Sequence, residues 1–142
     1  MSATARDADG PQLAQHLGFE PSTVVQELGW DEDVDDDLRL AIEEVTGNEL
    51  VDGEYGDVVS GVLFWWRDGD GDLVDALVDS LRDLDEGGGV WLLTPKVGRD
   101  GYVDNADIAE AAPVAGLVTT TTSSAGADWA ATRLAAPKGQ RR

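Results

Sequence analysis

Apolar positions along this chain recur in two rhythms, runs of consecutive hydrophobic residues and a spacing of three to four, and together they predict an alternation of strands and helices. Gln12 to Leu17 reads as a short helix stopped by Gly18, and Ser22 to Leu28 as a first strand between Pro21 and Gly29. Asp35 or Asp36 is placed to cap a helix with Leu38, Ala41, Ile42 and Val45 on its inner face, Glu43 and Glu44 toward water, and Gly47 just past its end. A short edge strand is expected at Glu49 to Val51, then a turn at Asp52-Gly53. The run Val58 to Trp66 is apolar on both faces, which fits a central parallel strand. Asp72 is expected to cap a helix reaching about Leu84, with Leu73, Leu77, Leu81 and Leu84 inward, widened by Val74 and Val78, and Asp75, Asp79 and Asp83 as its solvated stripe. Gly87 to Gly89 reads as a connection, Val90 to Thr94 as a third strand broken by Pro95, and Asn105 to Ala112 as a helix ended by Pro113 and Gly116. Leu117 to Thr122 and Trp129 to Ala135 complete an antiparallel hairpin.

This order predicts an α/β fold: a small three-layer Rossmann-like domain, with a mostly parallel sheet and a C-terminal antiparallel hairpin. Residues 11–137 form the domain, 1–10 a loose N-terminal tail without the apolar core of a secretory signal, and 138–142 a basic C-terminal tail. The longest apolar run is far below the roughly 20 residues of a membrane span, so a cytoplasmic protein without membrane contact is expected. Twenty-nine acidic against 10 basic residues give a formal charge of -19. A phosphate backbone would be repelled by such a surface, so no nucleic-acid partner is expected. The absence of cysteine excludes disulfides, thiol nucleophiles and cysteine-ligated zinc.

Few residues offer chemistry. His16 is the only histidine and no nucleophile motif accompanies it, so no catalytic residue is assigned. Asp68-Gly-Asp-Gly-Asp72 opens like a calcium loop, but Leu73 stands where the sharp turn requires glycine and Asp79 where a bidentate Glu belongs, so a turn and a helix cap explain it better and no metal is assigned. Asp31 to Asp37 is the densest acidic cluster; beyond the helix cap and first turn, its charge suits solubility, a basic partner, cation binding or mimicry of nucleic-acid charge. Of five tryptophans, Trp65 and Trp66 must point to opposite faces of their strand, and Trp30 and Trp66 are the candidates for a ligand-facing surface.

Thr23-Val-Val-Gln-Glu-Leu-Gly29 resembles the first strand and opening glycine of a class I methyltransferase, Asp57 to Trp66 its fourth strand, Leu84 to Leu93 its fifth, and the segment after Ala115-Gly-Leu117 its terminal hairpin. The chain departs from that pattern in two places. Trp30-Asp-Glu-Asp-Val34 replaces the glycine-rich cofactor turn, and too little chain separates Leu50 from Asp57 for the second and third strand units. More closely, Leu13 to Lys138 resembles an actinobacterial family, domain of unknown function 3052. The matching blocks are Val25 to Asp33, Trp65 to Leu73, Leu93 to Lys96, Ile108 to Pro113 and Thr132 to Leu134. The resemblance implies a compact cytoplasmic protein and supplies no catalytic residues; no cofactor is expected.

Ligands of open α/β sheets bind beyond the carboxyl ends of the strands, where strand order reverses. If the first strand neighbours Val58 to Trp66, then Trp30, Asp31, Trp66, Arg67 and Asp68 surround a crevice there, with Thr94 and Lys96 at its mouth. The expectation is a non-catalytic ligand- or protein-binding domain, regulatory or adaptor in kind, on a degenerate methyltransferase-like fold. Two alternatives stand beside it: a reduced S-adenosylmethionine-dependent methyltransferase, and an acidic adaptor or decoy for a basic protein surface. The partner is a protein or a small molecule, and a homodimer stays open.

Overall fold

A computed structural model of the chain describes residues 11–136. The two tails foreseen at 1–10 and 138–142 lie outside the described residues. The elements are a helix over residues 11–17 (α1), β1 (Val25–Leu28), α2 (Asp36–Thr46), β2 (Val59–Trp65), α3 (Leu73–Ser80), β3 (Leu84–Pro95), α4 (Asn105–Val114), β4 (Val118–Ser124) and β5 (Trp129–Ala135). They form one five-stranded sheet in the order β1-β2-β3-β5-β4. β1, β2 and β3 are parallel, while β5 runs antiparallel to both of its neighbours, β3 and β4. The Rossmann-like expectation is met.

Strand alternation divides the core into two layers of packing. Leu63 and Trp65 of β2, Trp91 and Leu93 of β3 and Trp129 of β5 pack with Ala14 and Leu17 of α1 and Leu38, Ala41 and Ile42 of α2. Val62, Phe64, Trp66, Val90 and Leu92 face the other way, onto Leu77 of α3 and Ile108, Ala111 and Ala112 of α4. The sheet therefore lies between two helical layers, which is why β2 is apolar on both faces from Val62 to Trp65. α2 starts where its cap predicts: the Asp35 carboxylate accepts from Leu38 N, and Gly47, with φ 79°, closes the other end.

Several boundaries differ from expectation. β1 starts at Val25, because Ser22 is held in a turn at φ 65° with its N–H donating to Thr46 O. Glu43 is no free surface charge, since its carboxylate accepts from Leu50 N at 2.9 Å. The edge strand at Glu49 to Val51 shrinks to one bridge between Val51 and Gln26. Val58 is exposed and β2 begins one residue later. α3 ends at Ser80, because Leu84 opens β3 in register with Val59. Val78 is exposed rather than inward. Asp83 leaves the predicted stripe: its carboxylate accepts from Gln26 Nε2 at 3.1 Å and its carbonyl from Val59 N. Gly87 to Gly89 belong to β3 instead of ending a connection. A Cβ on Gly88 would stand 2.5 Å from Ser60 O, so β2 and β3 approach here at a distance only glycine allows. β3 ends at Pro95, one residue past the expected Thr94, and Pro113 sits inside the last turn of α4 rather than ending it.

Candidate functional site

The chain leaves β1, runs through α2, touches the outer edge of β1 at Val51 and only then crosses to β2 on its inner edge. Strand order thus reverses between β1 and β2, and the loops after Leu28 and Trp65 meet at the carboxyl end of that junction. Gly29 turns the first loop at φ 75°; a Cβ there would collide with Trp65 O. The two loops are in backbone contact before any side chain is considered.

Arg67 fills what space remains. Its Nη1 donates to Gly29 O at 2.8 Å, its Nε and Nη2 donate to the Asp33 carboxylate at 3.0 and 2.6 Å, and its backbone N–H donates to Asp70 Oδ2 at 3.0 Å. The guanidinium carbon stands 5.4 Å from the centre of the Trp129 ring, whose indole N–H donates to Asp33 O. This fork-on-carboxylate geometry is the strong form of an arginine ion pair. Hydrogen bonding from Arg67, and after it the arginine's charge, holds the Asp33 carboxyl below the usual carboxylate range against the opposing effect of burial, and the same bond from Asp33 raises the Arg67 guanidinium.

Asp33 is 53% exposed, so water screens this pair and its contribution to stability is modest. Because the folded-state pKa of Asp33 is depressed, the pair stabilises fully above the ordinary carboxylate value and weakens as pH falls through the depressed one. The clasp is therefore expected to open only at a pH below the ordinary carboxylate value. Carboxyl-carbon NMR of Asp33 checks this: a titration midpoint at or above that of a free aspartate would contradict the clasp.

The candidate residues separate in the structure. Trp30 is 55% exposed beside the clasp, and Asp31 lies in the same loop, its carboxylate accepting from Glu32 N and its carbonyl from Val34 N. The partner of Arg67 is Asp33, not Asp31. Trp66 offers no surface, being buried edge-to-face on Phe64 with ring centres 5.8 Å apart. Thr94 is buried in the sheet opposite Ala130. Lys96 is engaged at the β4–β5 turn, where its Nζ donates to Ser124 Oγ and Gly126 O at 2.7 and 2.8 Å. Asp68 is exposed; Asp70 turns to Arg67 and Asp72 caps α3. The alternate carboxylates of that turn diverge, and among the described residues no group of three or more His, Asp or Glu side chains is placed to hold a metal ion. Asp33, Gly29 and Trp129 are the residues that sequence reasoning missed. The only signal for Asp33 was its place in the acidic cluster.

Residues 14–138 match the family described as protein of unknown function DUF3052. The chain belongs to that family. An uncharacterised protein of Mycobacterium tuberculosis is 53% identical over 125 residues, covering 88% of this chain and 78% of the relative, and one of Mycobacterium bovis matches equally. The fold is similar to that of methyltransferases. The mitomycin 7-O-methyltransferase MmcR aligns with a TM-score of 0.64 at 11% identity over 94% of this chain, which spans about half, 54%, of that enzyme. A SAM-dependent methyltransferase from Aquifex aeolicus aligns with a TM-score of 0.60 at 11% identity, covering 89% of this chain and 88% of the enzyme. The magnesium protoporphyrin IX methyltransferase of Synechocystis, solved with bound SAM, gives 0.54 at 12% identity over 94% of this chain and 81% of that one. At such identities the likeness concerns the fold. Among the described residues no helix is long and apolar enough to cross a membrane.

Proposed function

We propose that this DUF3052 protein is a non-catalytic binding domain, of adaptor or regulatory type, that docks a basic protein segment on its β1–α2 loop. The observation that carries this reading is Arg67, whose guanidinium joins Gly29 O to the Asp33 carboxylate across the junction where an open α/β sheet would receive a ligand. A cofactor entering there would have to break a two-pronged ion pair and displace an acidic loop. What the clasped loop offers outward is the exposed Trp30, followed in the chain by exposed Asp31 and Glu32, with exposed Asp36 and Asp37 in the first turn of α2. An exposed aromatic ring in an acidic segment suits lysine and arginine side chains, by cation–π contact and charge pairing.

Two titrations test this. S-adenosylmethionine at about 1 mM is expected to leave the melting temperature unchanged, whereas a ligand selective for the folded state must raise it. A clear rise would favour the alternative, a reduced methyltransferase, which the fold likeness supports. A lysine- and arginine-rich peptide is expected to bind with an affinity that drops steeply with salt and falls about tenfold in Trp30→Ala. Binding indifferent to salt and to Trp30 would remove the docking reading.

A further inference from the structure

At the opposite end of the parallel strands, where β1, β2 and β3 begin, a cavity of about 220 Å³ opens between Gly18 at the end of α1, Ser60, the Gly87 to Gly89 run, Trp91 and Arg133. It is smaller than the about 300–1,000 Å³ of sites for drug-sized ligands. Two residues of its wall, Trp91 and Arg133, belong to a series of three flat groups. Phe19 lies on the Trp91 ring with centres 4.0 Å apart, and the Arg133 guanidinium carbon stands 5.0 Å from the centre of the Trp91 ring. The indole is fixed in turn, because its N–H donates to Leu17 O at 2.6 Å.

Arg133 differs from every other described arginine. Arg39, Arg67, Arg82 and Arg99 each have a carboxylate within ion-pair distance. The guanidinium of Arg133 has neither a carboxylate nor a hydrogen-bond acceptor among the described residues, in a chain with 29 acids. Contact with an indole engages only the flat face of a guanidinium and leaves its N–H fork directed outward in the plane. The fork also has room. A Cβ on Gly18, which has φ 108°, would stand 2.8 Å from Arg133 Nη1, and one on Gly89 3.5 Å from its Nε, so glycines on the cavity wall leave the guanidinium its room. The result is a half-buried, oriented, two-pronged donor beside a small cavity, the arrangement that receives a carboxylate. The rim carries the opposite charge, with Glu20 and Asp85 exposed at the mouth. A plain anion would be repelled on entry and a plain cation by Arg133.

We propose that this cavity binds a small zwitterion of the α-amino acid class, its carboxylate received by Arg133 and its ammonium held toward Glu20 and Asp85. The site lies at the other end of the sheet from the Trp30 loop, so either proposal can fail without the other.

The test is NMR titration of the full chain with the twenty free amino acids, reading the Arg133 Nε–H and Trp91 indole N–H signals, with acetate and butylamine as single-charge probes. At least one amino acid is expected to shift both signals saturably below about 10 mM. Acetate and butylamine should bind at least about tenfold more weakly, because each lacks one charged contact. Arg133→Lys, which keeps the charge and loses the fork, should weaken binding about tenfold. The pair Glu20→Gln and Asp85→Asn changes only exposed side chains and should weaken it similarly even if the Arg133 variant fails to fold. Acetate binding as tightly as every amino acid, signals unmoved by all twenty, or affinity unchanged in the rim pair would each overturn the proposal.

Discussion

Gly29→Ala is expected to cost the fold about 3 kcal/mol, the largest effect foreseen for loss of a single hydrogen atom in this chain. Two independent terms add. Gly29 has φ 75°, where any side chain is strained, and its missing Cβ leaves room for the carbonyl of Trp65. That carbonyl ends β2 and cannot move without disturbing its pairing with β3. Urea denaturation followed by tryptophan fluorescence measures the loss. A cost below about 1 kcal/mol would mean that the two loops are not held in backbone contact.

Glu27→Ala is the second. The Glu27 carboxylate, its side chain 9% exposed, accepts from Arg39 Nε and Nη2 at 2.7 and 2.8 Å and from the indole N–H of fully buried Trp65 at 2.8 Å. Glu27, by hydrogen bonding first and charge second, raises the Arg39 guanidinium above its ordinary value. Removing the carboxylate leaves the buried indole N–H without an acceptor and Arg39 with only its contact to Asp36 at 3.3 Å, for a loss of about 3 kcal/mol. Combining it with Arg39→Met should recover about 1 kcal/mol, because the stranded charge goes too. Strictly additive losses in that double-mutant cycle would show that the pair is not coupled.

What could be read from the sequence was whatever depends on near neighbours or on wholesale burial. α2 announced itself through Asp35, Leu38, Ile42 and Gly47, all within one helix length, and β2 through a run that leaves no polar face. Gly87 to Gly89 misled for the converse reason. Glycine is permissive locally, and what makes it necessary here is the carbonyl of Ser60, on another strand. Trp66 misled because alternation says that Trp65 and Trp66 face opposite ways but not that both faces are covered; α3 and α4 cover the second. In the acidic loop, Asp31 and Asp33 are chemically alike, and only the turn formed by Val34 N donating to Asp31 O decides which of them meets Arg67. The stack of Phe19, Trp91 and Arg133 joins three distant segments, and no local pattern foreshadows it.

The placing of β5 between β3 and β4 has a consequence for synthesis on the ribosome. β3 and β4 are made before β5, yet neither pairs with the other; both wait for Trp129 to Ala135. Until then the lateral edge of β3, with Val90 to Leu93 and their apolar side chains, is an open template for any extended chain nearby. A chain that ends before Trp129 therefore leaves the β3 edge unsealed, and only pairing with Trp129 to Ala135 closes it.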